Sequence, residues 1–138
     1  MPLVGGGVGG AGNPVGGTFG GSNSFQTIGD HIYGLNGGVD TGSQSTEVTI
    51  FQSDTDNYYV VGKLRFAIND SSGDDIQFAL YYNGQQVWGE YATSGSAEHD
   101  MWPLNVVIPP FTNVRLTANN LSSGTAREIF TSIVGRIY

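Results

Sequence analysis

From Asp30 onward, apolar and polar side chains alternate at every second position. Within 58–68 (YYVVGKLRFAI), Val60, Leu64, Phe66 and Ile68 share one face, and Lys63, Arg65 and Ala67 share the other. Within 112–120 (TNVRLTANN), Val114, Leu116 and Ala118 oppose Arg115, Thr117 and Asn119. A period of two is the pattern of a strand with one face in a core. The same reading places strands at 30–36, 46–52, 58–68, 75–82, 85–91, 103–109, 112–120 and 128–138. It predicts Val60, Leu64, Phe66, Ile68, Phe78, Leu80, Val114 and Leu116 as core. No window carries apolar residues at the three-and-four spacing of a helix.

Turn signals fall between these runs. Asn83-Gly84 separates two alternating segments and predicts a tight hairpin whose central residues both need positive φ. Residues 69–75 (NDSSGDD) and 119–125 (NNLSSGT) read as polar loops with a glycine. Pro109-Pro110 closes one strand and opens the next, so the strand before it ends there or lies at a sheet edge. The final strand is apolar on both sides, with Ile129, Ile133 and Ile137 on one and Phe130, Val134 and Tyr138 on the other. Such a strand is central in its sheet or lies at a homo-oligomer contact. About eight antiparallel strands in roughly 110 residues predict an all-β, antiparallel two-sheet sandwich. The eight-stranded jelly roll stands ahead of an immunoglobulin-like sandwich, whose Cys–Trp–Cys framework is absent.

Residues 1–29 break the pattern. They carry no charged side chain, and ten of the first 21 are glycine. Their apolar residues are spaced too irregularly for strand or helix, and Pro2 and Pro14 argue against regular structure. A segment of this composition cannot bury enough surface to fold alone. The chain therefore divides into an extended glycine-rich arm, 1–29, and a sandwich domain, 30–138. The arm reads as a peg held by neighbouring chains, against the alternative of a flexible tether. Leu3, Val4, Val8, Val15, Phe19 and Phe25 are its candidate partner-binding anchors. Phe130, Val134 and Tyr138 on the outer side of the last strand join them.

Composition narrows the function. The net charge is −7, with Lys63, Arg65, Arg115, Arg127 and Arg136 as the five cations. No basic face for nucleic acid can be assembled from so few. Charged residues make up 12% of the chain, about half the usual soluble share, which suits a surface covered by partners. There is no cysteine, no signal-peptide pattern at Met1–Gly21 and no apolar run of the roughly 20 residues that cross a bilayer.

The candidate chemistry is sparse. His31 and His99 are far apart and have no cysteine beside them, so they make no zinc site. Asp70, Asp74 and Asp75 offer oxygens for calcium, but their spacing does not match the helical calcium loop, and turn capping explains them as well. Asp54 and Asp56 read likewise as turn residues. Glu47, Glu90, Glu98 and Glu128 are available carboxylates for a glycosidase, with nothing to show that two of them converge. No serine lies in a nucleophile elbow. The reading is non-enzymatic, with no cofactor and no metal. Tyr58, Tyr59, Tyr81, Tyr82, Trp88, Tyr91 and Trp102 leave two surfaces open: a protein interface or an aromatic platform for carbohydrate.

The arm, the strand-rich body and the closing run IPPFTNVRLTANNLSSGTAREIFTSIVGRIY resemble small jelly-roll structural proteins of tailed bacteriophages, of the capsid decoration or cement type. The resemblance covers about residues 24–138, most sharply the last 35. It implies a virion structural protein on the capsid surface, bound to the major capsid protein or other virion subunits through its arm. It further implies symmetric self-association, with a homotrimer favoured; the charge and the lack of a spanning apolar run leave neither nucleic acid nor membrane as partner. The alternative is a carbohydrate-binding or host-receptor-binding head or fibre module.

Overall fold

The computed structural model describes residues 25–36, 38–69, 73–93, 99–100 and 103–138. Leu3, Val4, Val8, Val15 and Phe19 lie outside the described residues. Among those described there are eleven strands and no helix. They are β1 (Gln26–Ile28), β2 (His31–Leu35), β3 (Val39–Asp40), β4 (Glu47–Asp54), β5 (Val60–Ile68), β6 (Asp75–Tyr82), β7 (Gln85–Thr93), β8 (His99–Asp100), β9 (Leu104–Ile108), β10 (Asn113–Asn120) and β11 (Glu128–Ile137).

Two antiparallel sheets form. One runs β1-β2-β11-β5, with β9 and β8 on successive stretches of the far side of β5 and β3 on β11. The other runs β4-β10-β6-β7. When the short β1, β3 and β8 are set aside, the remaining eight strands nest in pairs. The first pairs the last (β2 with β11) and the second pairs the seventh (β4 with β10). The third pairs the sixth (β5 with β9), and the fourth pairs the fifth (β6 with β7). One long hairpin rolled so that successive pairs alternate between sheets is a jelly roll.

The alternation in the sequence is what builds the core. All eight residues predicted as core are buried, none above 2% exposure. They are joined by Ile32, Ile50, Phe51, Ile76, Val106, Ile108, Ile129 and Ile133. β11 is central, between β2 and β5, and its isoleucines point inward as its two-sided pattern requires. Among the described residues β9 pairs with β5 alone, so the strand before the diproline is an edge strand there. Asn83 and Gly84 both have positive φ, 51° and 82°, in the hairpin between β6 and β7.

Local devices explain where the strict pattern breaks. In β4, Ile50 and Phe51 are consecutive and both fully buried. A bulge makes this possible: Leu116 pairs with Phe51 and Thr117 with Thr49, so Ile50 has no register partner. Its carbonyl accepts from Asn36 Nδ2 at 2.6 Å, and Asn36 Oδ1 accepts from the Thr131 amide at 3.1 Å. This buried amide staples the two sheets together. Gly34 sits where a Cβ would lie 2.7 Å from the Phe51 ring, so the missing side chain makes room for that ring. Before the start of β11, Asp74 Oδ2 accepts from Asn120 Nδ2, Ser123 Oγ and Arg127 Nε, at 3.0, 2.8 and 2.7 Å.

The structure adds strands that the sequence did not predict. Gln26–Ile28, within the range read as arm, pairs with β2 as an edge strand. β3 and β8 are two residues long, too short to show a period. The strand read from residue 58 begins at Val60, because Tyr58 and Tyr59 belong to the connection after β4.

Candidate functional site: the outer faces of the two sheets

Each sheet turns one face inward and one to solvent, and the two outer faces differ in chemistry. On the four-stranded sheet the register sets three polar rows. One is Glu47, Asn119, Gln77 and Tyr91. The next is Thr49, Thr117, Ala79 and Gly89, and the third is Gln52, Arg115, Tyr81 and Gln86. Thr117 and Ala79 are buried although they face outward, because long neighbours close over them. Tyr81 Oη and Thr117 Oγ1 both donate to Glu47 Oε2, at 2.7 and 2.8 Å. Arg115 lies 4.5 Å from the Tyr81 ring centroid and 3.7 Å from Glu47 Oε1. Burial raises the Glu47 pKa, but the two hydroxyls and Arg115 outweigh it and hold the carboxyl below its ordinary value. The Tyr81 hydroxyl is raised, first by its bond to Glu47 and then by burial. This group is a cross-strand brace whose bonds are made internally. Asn119 Oδ1 is buried in the same face without a hydrogen-bond partner among the described residues.

The outer face of the seven-stranded sheet is different. Its rows are Tyr33, Val134 and Lys63, then His31, Arg136, Val61 and Val107, then Leu35, Ser132 and Arg65. Val134, Val107 and Leu35 are 56%, 59% and 51% exposed, and Val61 and Ile28 are also open to solvent. Beyond the second row, Tyr59 and Tyr138 exchange backbone hydrogen bonds at 3.0 Å, and both rings are exposed. Lys63 and Arg65 are exposed here and make no ion pair among the described residues, while Arg136 reaches Asp30 at 3.4 Å. Exposed apolar side chains gathered on one face, here among His31, Lys63, Arg65 and Arg136, suit an interaction site.

The same end of the sandwich carries Phe111, in the turn between β9 and β10. Its φ is +54° and it is 75% exposed. Bulky residues seldom adopt this backbone region. The turn is locked from behind: the Phe111 amide donates to Asp56 O at 2.8 Å. Thr55 Oγ1 donates to Pro109 O and accepts from the Thr112 amide, at 2.7 and 2.9 Å. The lock holds the ring out into solvent.

The candidate residues read from the sequence are therefore divided. Val134 and Tyr138 are exposed on the apolar face and Phe130 is half-buried on it. Phe25 is not on that face: its ring packs on Phe51 at 5.3 Å and its amide donates to Ser53 Oγ. Tyr58, Tyr82 and Trp88 pack against the core, and Trp88 stacks on Phe66 at 5.5 Å. Burial pushes the Tyr82 hydroxyl up to about 12. Tyr59 and Tyr91 face solvent, and Trp102 lies outside the described residues. Among the carboxylates, Glu47 and Glu128 are on different sheets, Glu128 accepting from Asn69 Nδ2 at 3.0 Å. Glu98 and Asp70 lie outside the described residues. Asp74 is the partner of Arg127, and the described residues hold no cluster of three or more potential metal ligands. Val61, Val107 and Phe111 were not singled out by sequence. The first two become visible only once the register aligns them.

No family model and no curated protein matches the sequence. Among solved structures, a chain from "Structure of infectious bursal disease virus Gx strain" is similar, with 16% identity and a TM-score of 0.47. The match covers 77% of this chain and 29% of that one, so the present chain spans less than a third of its length.

Proposed function

We propose that this chain is a non-enzymatic virion structural protein of the capsid-decoration kind. It self-associates, with a trimer favoured, and attaches to other virion subunits through its uncharged N-terminal residues. Its site of action is then the capsid surface. The observation that carries this reading is the outer face of the seven-stranded sheet, an apolar surface with Val107, Val134 and Tyr138 open to water. Such a face is built to be covered. The resemblance of the closing run to phage decoration proteins supports the same reading. The test is co-sedimentation of the full chain, and of a chain lacking Met1–Gly21, with undecorated phage particles at low and high salt. The full chain is expected to bind at both salt concentrations, since the arm has no charge to screen. Equal binding by the two forms would remove the arm from the mechanism.

A second reading, glycan binding, is favoured by one row of the polar face. Exposed Tyr91 lies beside Gln77, whose Nε2 donates to Tyr91 Oη at 3.3 Å, and on the far side of Gln77 lies Asn119, whose buried Oδ1 has no partner among the described residues. A glycan array followed by the Tyr91→Ala variant decides it: specific binding lost on substitution supports the glycan module.

A further inference from the structure

We infer that this chain associates head to tail, the Phe111 tip of one copy docking on the outer face of the seven-stranded sheet of the next. The inference rests on the reading above only in that the chain self-associates. Two complementary patches, both within the described domain, carry it.

The first patch is the tip. Phe111 is held out into solvent, and the segment that locks it there is acidic. The Phe111 amide is bound to the Asp56 carbonyl, and Thr55 is bonded to both Pro109 and Thr112. Next to them, Asn113 Nδ2 donates to Asp54 Oδ1 at 2.8 Å. Asp54 and Asp56 are exposed and make no ion pair among the described residues. The tip is therefore a fixed aromatic anchor flanked by two carboxylates. An anchor ordered in advance loses little freedom on docking.

The second patch is on the sheet. Lys63 and Arg65 lie two residues apart on the outer side of β5, beside Val134, Leu35 and half-buried Tyr33. The other three cations are engaged, Arg115 by Glu47, Arg127 by Asp74 and Arg136 by Asp30. The net charge of the chain is −7. Its two cations without an ion pair among the described residues thus stand together on an apolar face. The surface that fits them has an apolar centre and an anionic rim.

The tip cannot fold back onto its own sheet. Val60 pairs with Ile108, directly before the diproline that leads into the tip. Lys63 and Arg65 are three and five residues further along β5, about 10 and 17 Å away. The bonds around Phe111 hold the tip at its own end, so a tip that reaches these cations belongs to a second copy. Two sheets packed face to face across a twofold axis would instead bring Lys63 and Arg65 against their like. A tip-to-face contact joins different patches, and such a contact closes into a ring, of which a trimer is one.

The experiment uses the unaltered full chain, in which Lys63 is the single lysine. Equal amounts of ¹⁵N-labelled and unlabelled chain are mixed, equilibrated and treated with a water-soluble carbodiimide. The reagent joins an amine to a carboxylate in contact with it as an amide, and takes up the water lost as a urea. Mass spectrometry of the digest should find Lys63 joined to Asp54 or Asp56, with about half of the links pairing heavy with light. Links within one isotope only, links from Lys63 to other carboxylates alone, or no links would overturn the inference. In parallel, sedimentation equilibrium follows charge-reversed chains whose folding is checked by urea unfolding. Lys63→Glu with Arg65→Glu should weaken self-association at least tenfold, and Asp54→Lys with Asp56→Lys should do the same. A chain with all four changes should recover most of the loss, because the charges pair again in reverse. A folded four-change chain without recovery would refute the pairing. Where a variant does not fold, the cross-linking of the unaltered chain decides. Retained binding to undecorated particles beside failed cross-linking would leave the virion role standing and remove the tip-to-face contact alone.

Discussion

Replacing a glycine within a strand by alanine ordinarily stabilises a protein, by roughly 0.5–1 kcal/mol, because glycine has more backbone freedom to lose. Three strand glycines of this jelly roll should depart from that expectation to different degrees. Gly135 on β11 and Gly62 on β5 are register partners. A Cβ on Gly135 would lie 2.3 Å from the Val61 carbonyl oxygen and 2.6 Å from the Gly62 Cα. Both are backbone atoms of the adjacent strand, so relief requires β5 and β11 to part by about 1 Å. Overpacking of this kind costs about 1–3 kcal/mol, and each ladder bond stretched adds about 1 kcal/mol. After the alanine gain, Gly135→Ala should lose about 2–4 kcal/mol. Gly34→Ala meets the Phe51 ring at 2.7 Å, and that ring is fully buried, with Phe25 packed against it. Limited ring movement sets its loss at about 1–2 kcal/mol. Gly89→Ala meets only the Gln86 Nε2, at 2.5 Å. That atom is the end of an exposed, flexible side chain, so this variant should be unchanged or up to about 1 kcal/mol more stable. Urea unfolding followed by the fluorescence of Trp88, which stacks on the core residue Phe66, gives all three values from shifts in midpoint. A Gly135→Ala variant as stable as wild type, or less damaged than Gly34→Ala, would refute the strand registry on which the numbers rest.

Leu64→Ala, in the fully buried centre of β5, should cost about 2–5 kcal/mol by urea unfolding, through transfer and cavity terms together. The hydrogen bonds from Asn120, Arg127 and Ser123 hold the Asp74 carboxyl at about 2, below its ordinary 3.8. A depressed carboxylate adds stability that is full above its unfolded value and is lost as pH falls through the folded one. Unfolding free energy should therefore drop between about pH 4 and pH 2, and Asp74→Asn should remove that part of the slope. The depression corresponds to at most about 2.5 kcal/mol, less after solvent screening. A wild-type and variant pair with identical slopes would show that Asp74 is not the group responsible.

The sheets were legible because one face of most strands is buried, which forces alternation and fixes register. Val60, Leu64, Phe66 and Ile68 could be assigned together for this reason. The double face of β11 was legible too, since Phe130, Val134 and Tyr138 alternate with three isoleucines. What escaped was non-local or aperiodic. The adjacent Ile50 and Phe51 both point inward through a bulge that no single-strand pattern announces. Asn36 reads as the last residue of the strand at 30–36 and is a buried staple between β4 and β11. In the sequence, Asp74 reads equally as a calcium ligand or a turn cap. Its partner Arg127 lies 53 residues away in sequence, a separation across which single-residue reasoning has no signal. The apolar end of the seven-stranded sheet was only half visible. Val61 is hidden in the run YYVV, and Val107 gains meaning only from its pairing with Val61.

The two outer faces also differ in where their stabilising contacts are made. On the four-stranded sheet, Glu47, Tyr81, Arg115 and Thr117 satisfy one another within the chain. At the apolar end of the other sheet the position is reversed. Phe111 occupies a backbone conformation that costs a bulky residue about 1–2 kcal/mol, and glycine or asparagine would adopt it with less strain. Its ring is 75% exposed, so little of that cost is recovered by contacts within the domain. Tyr59, Val107 and Tyr138 lie at the same end and leave half or more of their surface open to solvent. A residue that weakens the isolated fold without filling its core makes sense when its contacts form in a larger assembly. Phe111→Asn should accordingly leave the isolated domain as stable or slightly more so by urea unfolding, while reducing self-association in sedimentation. A loss of domain stability above about 1 kcal/mol, with association unchanged, would show that the ring serves the fold and not the assembly.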